Sequence, residues 1–461
     1  MKKFFALVLA AVMCFSLFSA CADSQQPSEQ QPSEQQPSEQ QPSEQQPSEQ
    51  QPAEKTLAEK LKVDPDEKQT ITVMSWHHTA QRRELMDKTI ARFNEKYPNI
   101  TIEHNPVEDY TQAYKLAFDS GDAPDIVYVD DTNQNLLWRH GYLMDIADIV
   151  EEMNWAEHAK PGALEYQNVR TPGEIYSVPY ISGPRVVWYN KAIFDELKLE
   201  EPTTLEEFNV LLAKVKEAGY IPFEASVRTL LWHIDGVLFG TTPLEDITKW
   251  YYLEESTPAY KEGRRAALDQ VSEWVEKGYF RDGVTSIDHN NLNVLFGRGE
   301  TAFYVAGASA AAPLHESGIE VGAFAFPRKS EDFPSVLVDA SDSAWAIRAD
   351  LPEEKLAATV AFIDQFFTKE TTKDWVEGGF VTLMNFDVSD AQIPPQQMAA
   401  LEATKDSQMG YFLDNAVPGL LNSMEILNAR LLLGEIDGAG YDEAIDAEYE
   451  KLKAEELAKR N

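Results

Sequence analysis

Two carboxylates, Asp130 and Asp131, stand directly after the apolar run Ile126-Val127-Tyr128-Val129, and Trp76-His77-His78 stands just beyond Ile71-Thr72-Val73-Met74. Further along, Tyr180 and Arg185 flank the break Gly183-Pro184, Trp232 lies in Leu231-Trp232-His233, and Asp342 precedes Ser343-Ala344-Trp345-Ala346-Ile347. Indole and phenol rings offer flat faces to apolar CH surfaces. Carboxylates and a guanidinium form directional hydrogen bonds, bidentate where geometry allows. Together these residue types suit gripping a polar molecule. The motifs of bond-breaking chemistry are missing: there is no HExxH, no phosphate-binding glycine loop and no Ser-His-Asp signature. His77-His78 is a poor metal signal, because adjacent side chains diverge and no carboxylate sits at ligand spacing. No catalytic residue, metal or cofactor is expected.

The elements that would position these residues alternate between strand and helix. Ile71 to Met74 reads as a buried strand. Met86, Ile90, Phe93 and Tyr97 then recur at helical spacing up to Pro98. Ile100-Thr101-Ile102 is a second strand. Tyr110, Ala113, Tyr114, Ala117 and Phe118 mark a helix closed by Gly121, and Ile126 to Val129 is a third strand. This βαβα order predicts a mostly parallel sheet covered by helices. The alternation resumes at Val186-Val187-Trp188-Tyr189. A capping box, Thr204-Leu205-Glu206-Glu207, then opens a helix that ends near Gly219. Strands over 302–305 and 321–326 follow, and Leu356, Val360, Ile363 and Phe367 form a further helical stripe. Two such units with Gly183-Pro184 between them imply two lobes joined at a hinge. Ligands of open parallel sheets bind beyond the carboxyl ends of the strands, and a cleft between lobes is the default site. That rule selects Trp76, His77, Asp130, Asp131 and the segment from Tyr180 to Arg185. Plainer roles stand beside these: an Asp at 130 or 131 can cap the helix that follows, and Arg185 can serve a hinge salt bridge. Trp345 reads as core and Trp250-Tyr251-Tyr252 as a packed helix face.

Composition narrows the partners. The chain has 461 residues, enough for two or three domains, and 43% are hydrophobic. Lys+Arg is 40 against Asp+Glu 77, a formal net charge of −37 that repels nucleic acid and anionic surfaces but leaves small ligands open. Cys14 and Cys21 are the two cysteines, so everything after residue 21 must fold without disulfides or thiolate ligands. Met1-Lys2-Lys3 followed by an apolar stretch from Phe4 to Phe18 reads as a signal peptide, too short to span a membrane comfortably. Phe18-Ser19-Ala20-Cys21 resembles a bacterial lipobox, with Phe18 where Leu is usual, which makes Cys21 the expected lipid-bearing N-terminus. Gln-Pro-Ser-Glu-Gln then repeats from Gln26 through Gln50, with nothing that could bury an apolar face. About 30 such residues reach roughly 90 Å if extended and about 30 Å as a coil, the dimensions of a tether.

Several blocks, in order, resemble the carbohydrate-type extracellular solute-binding proteins of ABC importers. They are Ser120-Gly121-Asp122-Ala123-Pro124-Asp125-Ile126-Val127, then Tyr176 to Tyr180 with Arg185-Val186-Val187-Trp188-Tyr189-Asn190-Lys191, and Pro202 to Phe208. Phe296 to Phe303 and Ser343 to Ile347 complete the set. The resemblance covers about residues 70–461 and implies an α/β, two-lobed, periplasmic-binding-protein-like fold with Venus-flytrap closure about a hinge. It divides the chain into a signal peptide (1–20), a lipid-anchored disordered linker (21–55), lobe 1 (56–181), lobe 2 (182–342), a return to lobe 1 (343–412) and C-terminal helices on lobe 2 (413–461). It further implies capture of a sugar or oligosaccharide, delivery to a membrane permease, and a monomer held at the outer face of the cell membrane by its lipid alone. The ligand contacts the resemblance implies are Trp76, His77, Asp130 and Asp131; Tyr180 and Trp232 as candidate stacking residues, and Arg185 and Asp342 by position, complete the set. Two aromatic positions used by relatives are empty here: Ala306-Gly307-Ala308-Ser309 carries no tryptophan, and the helix near Pro418-Gly419 no aromatic. Both departures point away from maltodextrin. A secreted glycan-processing enzyme and a non-transport surface lipoprotein are the competing classes.

Overall fold

The computed structural model describes residues 55–459 other than 78, 161, 169–172 and 340. The expected signal peptide, Cys21, the repeat and His78 lie outside the described residues. The first lobe is built on a six-stranded sheet. In chain order its strands are β1 (Gln69–Ser75), β2 (Ile100–Pro106), β3 (Ile126–Val129), β4 (Val178–Ser182), β10 (Ser341–Ile347) and β11 (Val381–Thr382), arranged as β11-β4-β10-β3-β1-β2. The second lobe holds β5 (Arg185–Asn190), β6 (Ile221–Glu224), β7 (Thr301–Gly307) and β8 (Val321–Phe324), arranged as β6-β7-β5-β8. Two short strands, β9 (Val336–Leu337) and β12 (Gln408–Met409), pair with each other.

Local chemistry explains the first lobe's boundaries. All four residues of β3 are buried, as expected of a strand covered on both faces. The helix Ala80–Lys96 is capped by Thr79, whose hydroxyl accepts from the Arg82 N–H, and it ends before Pro98, which cannot continue a helix. Tyr110–Ser120 closes on Gly121 at φ +77°, a left-handed turn that glycine adopts without strain. In the second lobe the Thr204 capping box forms as its sequence predicts.

The sheets are mixed, a correction to the mostly parallel expectation. β1 pairs in parallel with β2 and β3, but β10 runs antiparallel to both β3 and β4, and β5 antiparallel to β7 and β8. Parallel neighbours need a covering crossover that returns the chain to the same end of the sheet. β10 comes instead from the other lobe and enters its sheet from the opposite end.

Each lobe has its own core. Phe93, Trp155, Trp345, Phe362 and Trp375 are buried in the first, and Phe208, Phe223, Trp250, Trp274 and Phe303 in the second. Each such side chain contributes about 1.5–3 kcal/mol or more by leaving water. The chain passes from β4 to β5 through Gly183-Pro184 and returns between β9 and β10. Buried Asp339 joins these two passages: its carboxylate accepts from the Ser182 hydroxyl at 2.6 Å and the Gly183 N–H at 3.0 Å. The block expected to return to lobe 1 (343–412) divides. β10 and β11 sit in the first sheet, whereas Pro395–Thr404 packs its Ala400 among Leu314, Val321 and Ala323 of the second lobe. The helices Leu420–Leu432 and Gly438–Lys459 bury Leu427, Tyr441 and Tyr449 in the second lobe's core.

Candidate binding cleft

A cavity of about 590 Å³ opens between the lobes, within the usual size range of small-molecule sites. Tyr110, Asp130, Asn133 and Arg139 line it from the first lobe; Arg185, Arg228, Trp232, Phe412, Asp414 and Asn422 face them from the second.

Asp130 follows β3 and occupies the N-cap position of the helix Asp131–Arg139. Its carboxylate accepts the Asn133 N–H at 2.9 Å, while its own N–H donates to the Asn133 side-chain oxygen at 2.7 Å. The other carboxylate oxygen accepts a short hydrogen bond from the Tyr110 hydroxyl. Burial, reinforced by the Asp130 charge, pushes the Tyr110 phenol far above its ordinary range, so the proton stays on oxygen. Asp130 therefore caps a helix and presents a carboxylate edge to the cavity at once.

Across the cleft the Arg185 guanidinium lies between two rings, 4.4 Å from the Trp232 centroid and 4.4 Å from that of Phe412. Its Nη1 donates to the Gly183 carbonyl at 2.6 Å, which anchors it to the hinge. Desolvation lowers its pKa against the attraction of Asp342, Asp339 and Asp414. Trp232 reaches the cavity from the helix Leu230–Thr241; from Leu230 to Gly240 it is the one residue that is not buried. That helix lies close to the chain at 326–327 because of two glycines. A Cβ on Gly236 would meet the Phe326 ring at 2.4 Å, and one on Gly240 the Pro327 carbonyl at 2.6 Å.

The eight nominated residues thus separate. Asp130, Arg185 and Trp232 come together in the cavity. Trp76 and Asp342 stay on the first lobe, joined through Arg82. The Arg82 guanidinium covers the Trp76 ring at 4.8 Å, and its Nη2 meets Asp342 at 2.6 Å. His77 and Tyr180 are buried and do not line the cavity. The Tyr180 hydroxyl and the His77 Nε2 share a 2.5 Å hydrogen bond, and His77 stacks on Trp345 with centroids 5.5 Å apart. Both strand ends were well placed, but these two side chains turn into the aromatic core and not toward solvent. Asp131 opens its helix, and its side chain lies outside the described residues.

Tyr110, Arg139, Arg228, Phe412 and Asp414 were not singled out by sequence reasoning. Phe412 had one available signal, the aromatic pair Tyr411-Phe412 in an otherwise polar stretch. Two of the cleft arginines carry partners: Arg139 with Glu456 at 2.5 Å and Arg228 with Glu425 at 2.9 Å. Among the described residues no group of three or more His, Cys, Asp or Glu could hold a metal ion, and no helix is long and apolar enough to cross a membrane.

Residues 77–373 match the sequence model of a family described as bacterial extracellular solute-binding protein. The multiple sugar-binding protein of Streptococcus mutans is 24% identical over 300 residues, covering 62% of this chain and 69% of that protein. The sn-glycerol-3-phosphate-binding periplasmic protein of Brucella abortus is 24% identical over 358 residues, covering 73% and 77%. In fold, the chain matches the ligand-free RafE of Streptococcus pneumoniae with a TM-score of 0.70 at 18% identity, over 85% of this chain and all of that one.

Proposed function

Because this chain belongs to the bacterial extracellular solute-binding protein family, we propose that its interlobe cleft captures a sugar or oligosaccharide and delivers it to the membrane permease of an ABC importer. The observation that carries this reading is the opposition of Asp130 on one lobe to the Arg185–Trp232 pair on the other, across one cavity. A pyranose offers hydroxyls to the first and a CH face to the indole. A ligand touching both lobes stabilises the closed arrangement by its differential contacts there, which couples capture to hinge motion. Asp130, Arg185 and Trp232 are the direct contacts in this account. Trp76 and Asp342 support them through Arg82, and His77 with Tyr180 forms the packed base beneath.

The names of the relatives support the ligand class: one curated relative is a multiple sugar-binding protein, and RafE has also been solved in complex with raffinose. The protein is not an enzyme in this reading, and the ligand leaves the cleft chemically unchanged. Export and anchoring through a lipid on Cys21, with the Gln-Pro-Ser-Glu repeat as tether, place the monomeric domain at the outer face of the membrane. A thermal-shift screen of the purified protein against neutral and acidic saccharides tests capture. At 100 times its Kd a ligand adds about 2.7 kcal/mol of stability. A panel in which no saccharide raises the melting temperature contradicts the proposal.

A further inference from the structure

Of the three cleft arginines, Arg185 alone makes no ion pair among the described residues. Arg139 and Arg228 are answered by Glu456 and Glu425. Arg185 forms no ion pair among the described residues, and its one hydrogen bond runs from Nη1 to the Gly183 carbonyl. Its Nε is buried with no hydrogen-bond partner among the described residues. The Trp232 and Phe412 rings both pack against the guanidinium at 4.4 Å, and its N–H groups point outward in its own plane. The edge formed by Nε and Nη2 is one of those by which a guanidinium grips a carboxylate or phosphate bidentately.

The surroundings of that edge suit an anion. The helix Leu420–Leu432 begins at the same cavity, and its N-cap, Gly419, has no side chain to satisfy the first turn. The backbone N–H groups of Leu421 and Asn422 meet no acceptor among the described residues. Helix N-termini favour negative charge for this reason. Two carboxylates also line the cavity, and two more attract Arg185 from beside it. Asp130 is engaged by Tyr110 and Asn133, Asp339 by Ser182 and Gly183, and Asp342 by Arg82. Asp414 has its pKa raised by desolvation, against the attraction of Arg228 and Arg185. The net charge of −37 acts from a distance, and salt screens it beyond about 8 Å at physiological ionic strength.

We infer that the captured ligand carries a carboxylate or phosphate oxyanion, seated on the Nε/Nη2 edge of Arg185 and facing the start of the helix Leu420–Leu432. The inference rests on the cleft being the site of saccharide capture and sharpens the ligand to an acidic one: a uronic-acid saccharide or a sugar phosphate. Its hydroxyls then fall to Asp130 and the cleft asparagines.

Isothermal titration of the full-length protein with matched probes tests this. The carboxylate arm compares digalacturonate and glucuronate-terminated disaccharides with their C6-alcohol counterparts. The phosphate arm compares glucose 6-phosphate with glucose, and glycerol 3-phosphate with glycerol. At least one acidic probe binds more than about tenfold tighter than its neutral counterpart, and R185Q removes most of that ratio. R185K, which keeps the charge and loses the fork, falls between. The arm that discriminates identifies the oxyanion. Neutral probes binding as tightly as acidic ones would overturn the inference and leave saccharide capture standing, as would an unchanged ratio in R185Q. Glycerol 3-phosphate as the sole ligand would uphold the oxyanion and contradict the saccharide reading. No binding by any probe contradicts both. The wild-type ratio decides the matter even if R185Q fails to fold.

Discussion

Arg139 of the first lobe and Glu456 of the second meet at 2.5 Å, with the Glu456 side chain 2% exposed. The pair joins the helix that carries Asp130's cap to the C-terminal helix and borders the same cavity. A buried carboxylate paired across a moving interface is a contact that opening of the cleft must break. E456Q is therefore expected to raise the radius of gyration of the ligand-free protein and to weaken ligand binding severalfold. Breaking a buried pair costs up to about 3–5 kcal/mol, and partial exposure of Arg139 reduces that here. Small-angle scattering of the variant beside the wild type reads the effect, and superimposable profiles count against the latch.

Trp232 covers one face of the Arg185 guanidinium at 4.4 Å and is the unburied member of an otherwise buried helical stretch. Trp232→Ala should weaken ligand affinity by more than about tenfold, with a modest fall in melting temperature, because Trp232 lines the cleft and also packs against the second lobe's core. Titration calorimetry with circular-dichroism melts separates these outcomes. Unchanged affinity removes Trp232 from the site.

Asp339 accepts hydrogen bonds from Ser182 and Gly183 with its side chain almost fully buried. Asp339→Ala leaves those donors unsatisfied at the first passage between lobes. A loss of roughly 2–4 kcal/mol in urea denaturation is expected. A midpoint within error of the wild type would mean that the two passages are held together by other contacts.

One buried and one half-buried imidazole set the acid limit. Desolvation lowers both His104 and His233 to a pKa of about 4. His233 is fully buried among Phe223 and Phe280, with Nδ1 donating to the Thr229 carbonyl at 3.2 Å. The unfolded chain protonates these groups near pH 6.5 and the folded chain only near 4. Their neutral form therefore contributes stability that is complete above pH 6.5 and lost as pH falls toward 4. Each accounts for up to about 3 kcal/mol across that window. Denaturation midpoints measured from pH 7.5 to 4 should fall, with a shallower slope in His233→Gln; parallel slopes contradict the assignment.

Much of this architecture was legible in the residues. The apolar run Ile126 to Val129 ends at Asp130, and the Asp130 side chain lines the cavity between the lobes. The break at Gly183-Pro184 marks the first passage between lobes because proline and glycine interrupt both regular structures. Side-chain direction was harder to read. Tyr180 lies in a strand buried on both faces, so no alternation shows which way its ring points, and it turns inward to His77. The partners on the far wall were not legible at all. Phe412 and Asp414 are brought to the cleft by repeated passages between lobes and by the packing of the last two helices, relationships that no local spacing encodes.

The central claim is that this cleft holds a saccharide and releases it intact. Calorimetric titration of the purified protein with the best saccharide from the thermal-shift screen, followed by chromatography of the recovered ligand, tests it most directly. The account predicts saturation at one ligand per chain and recovery of the same molecule unchanged. Cleaved or rearranged product in the recovered fraction would contradict it.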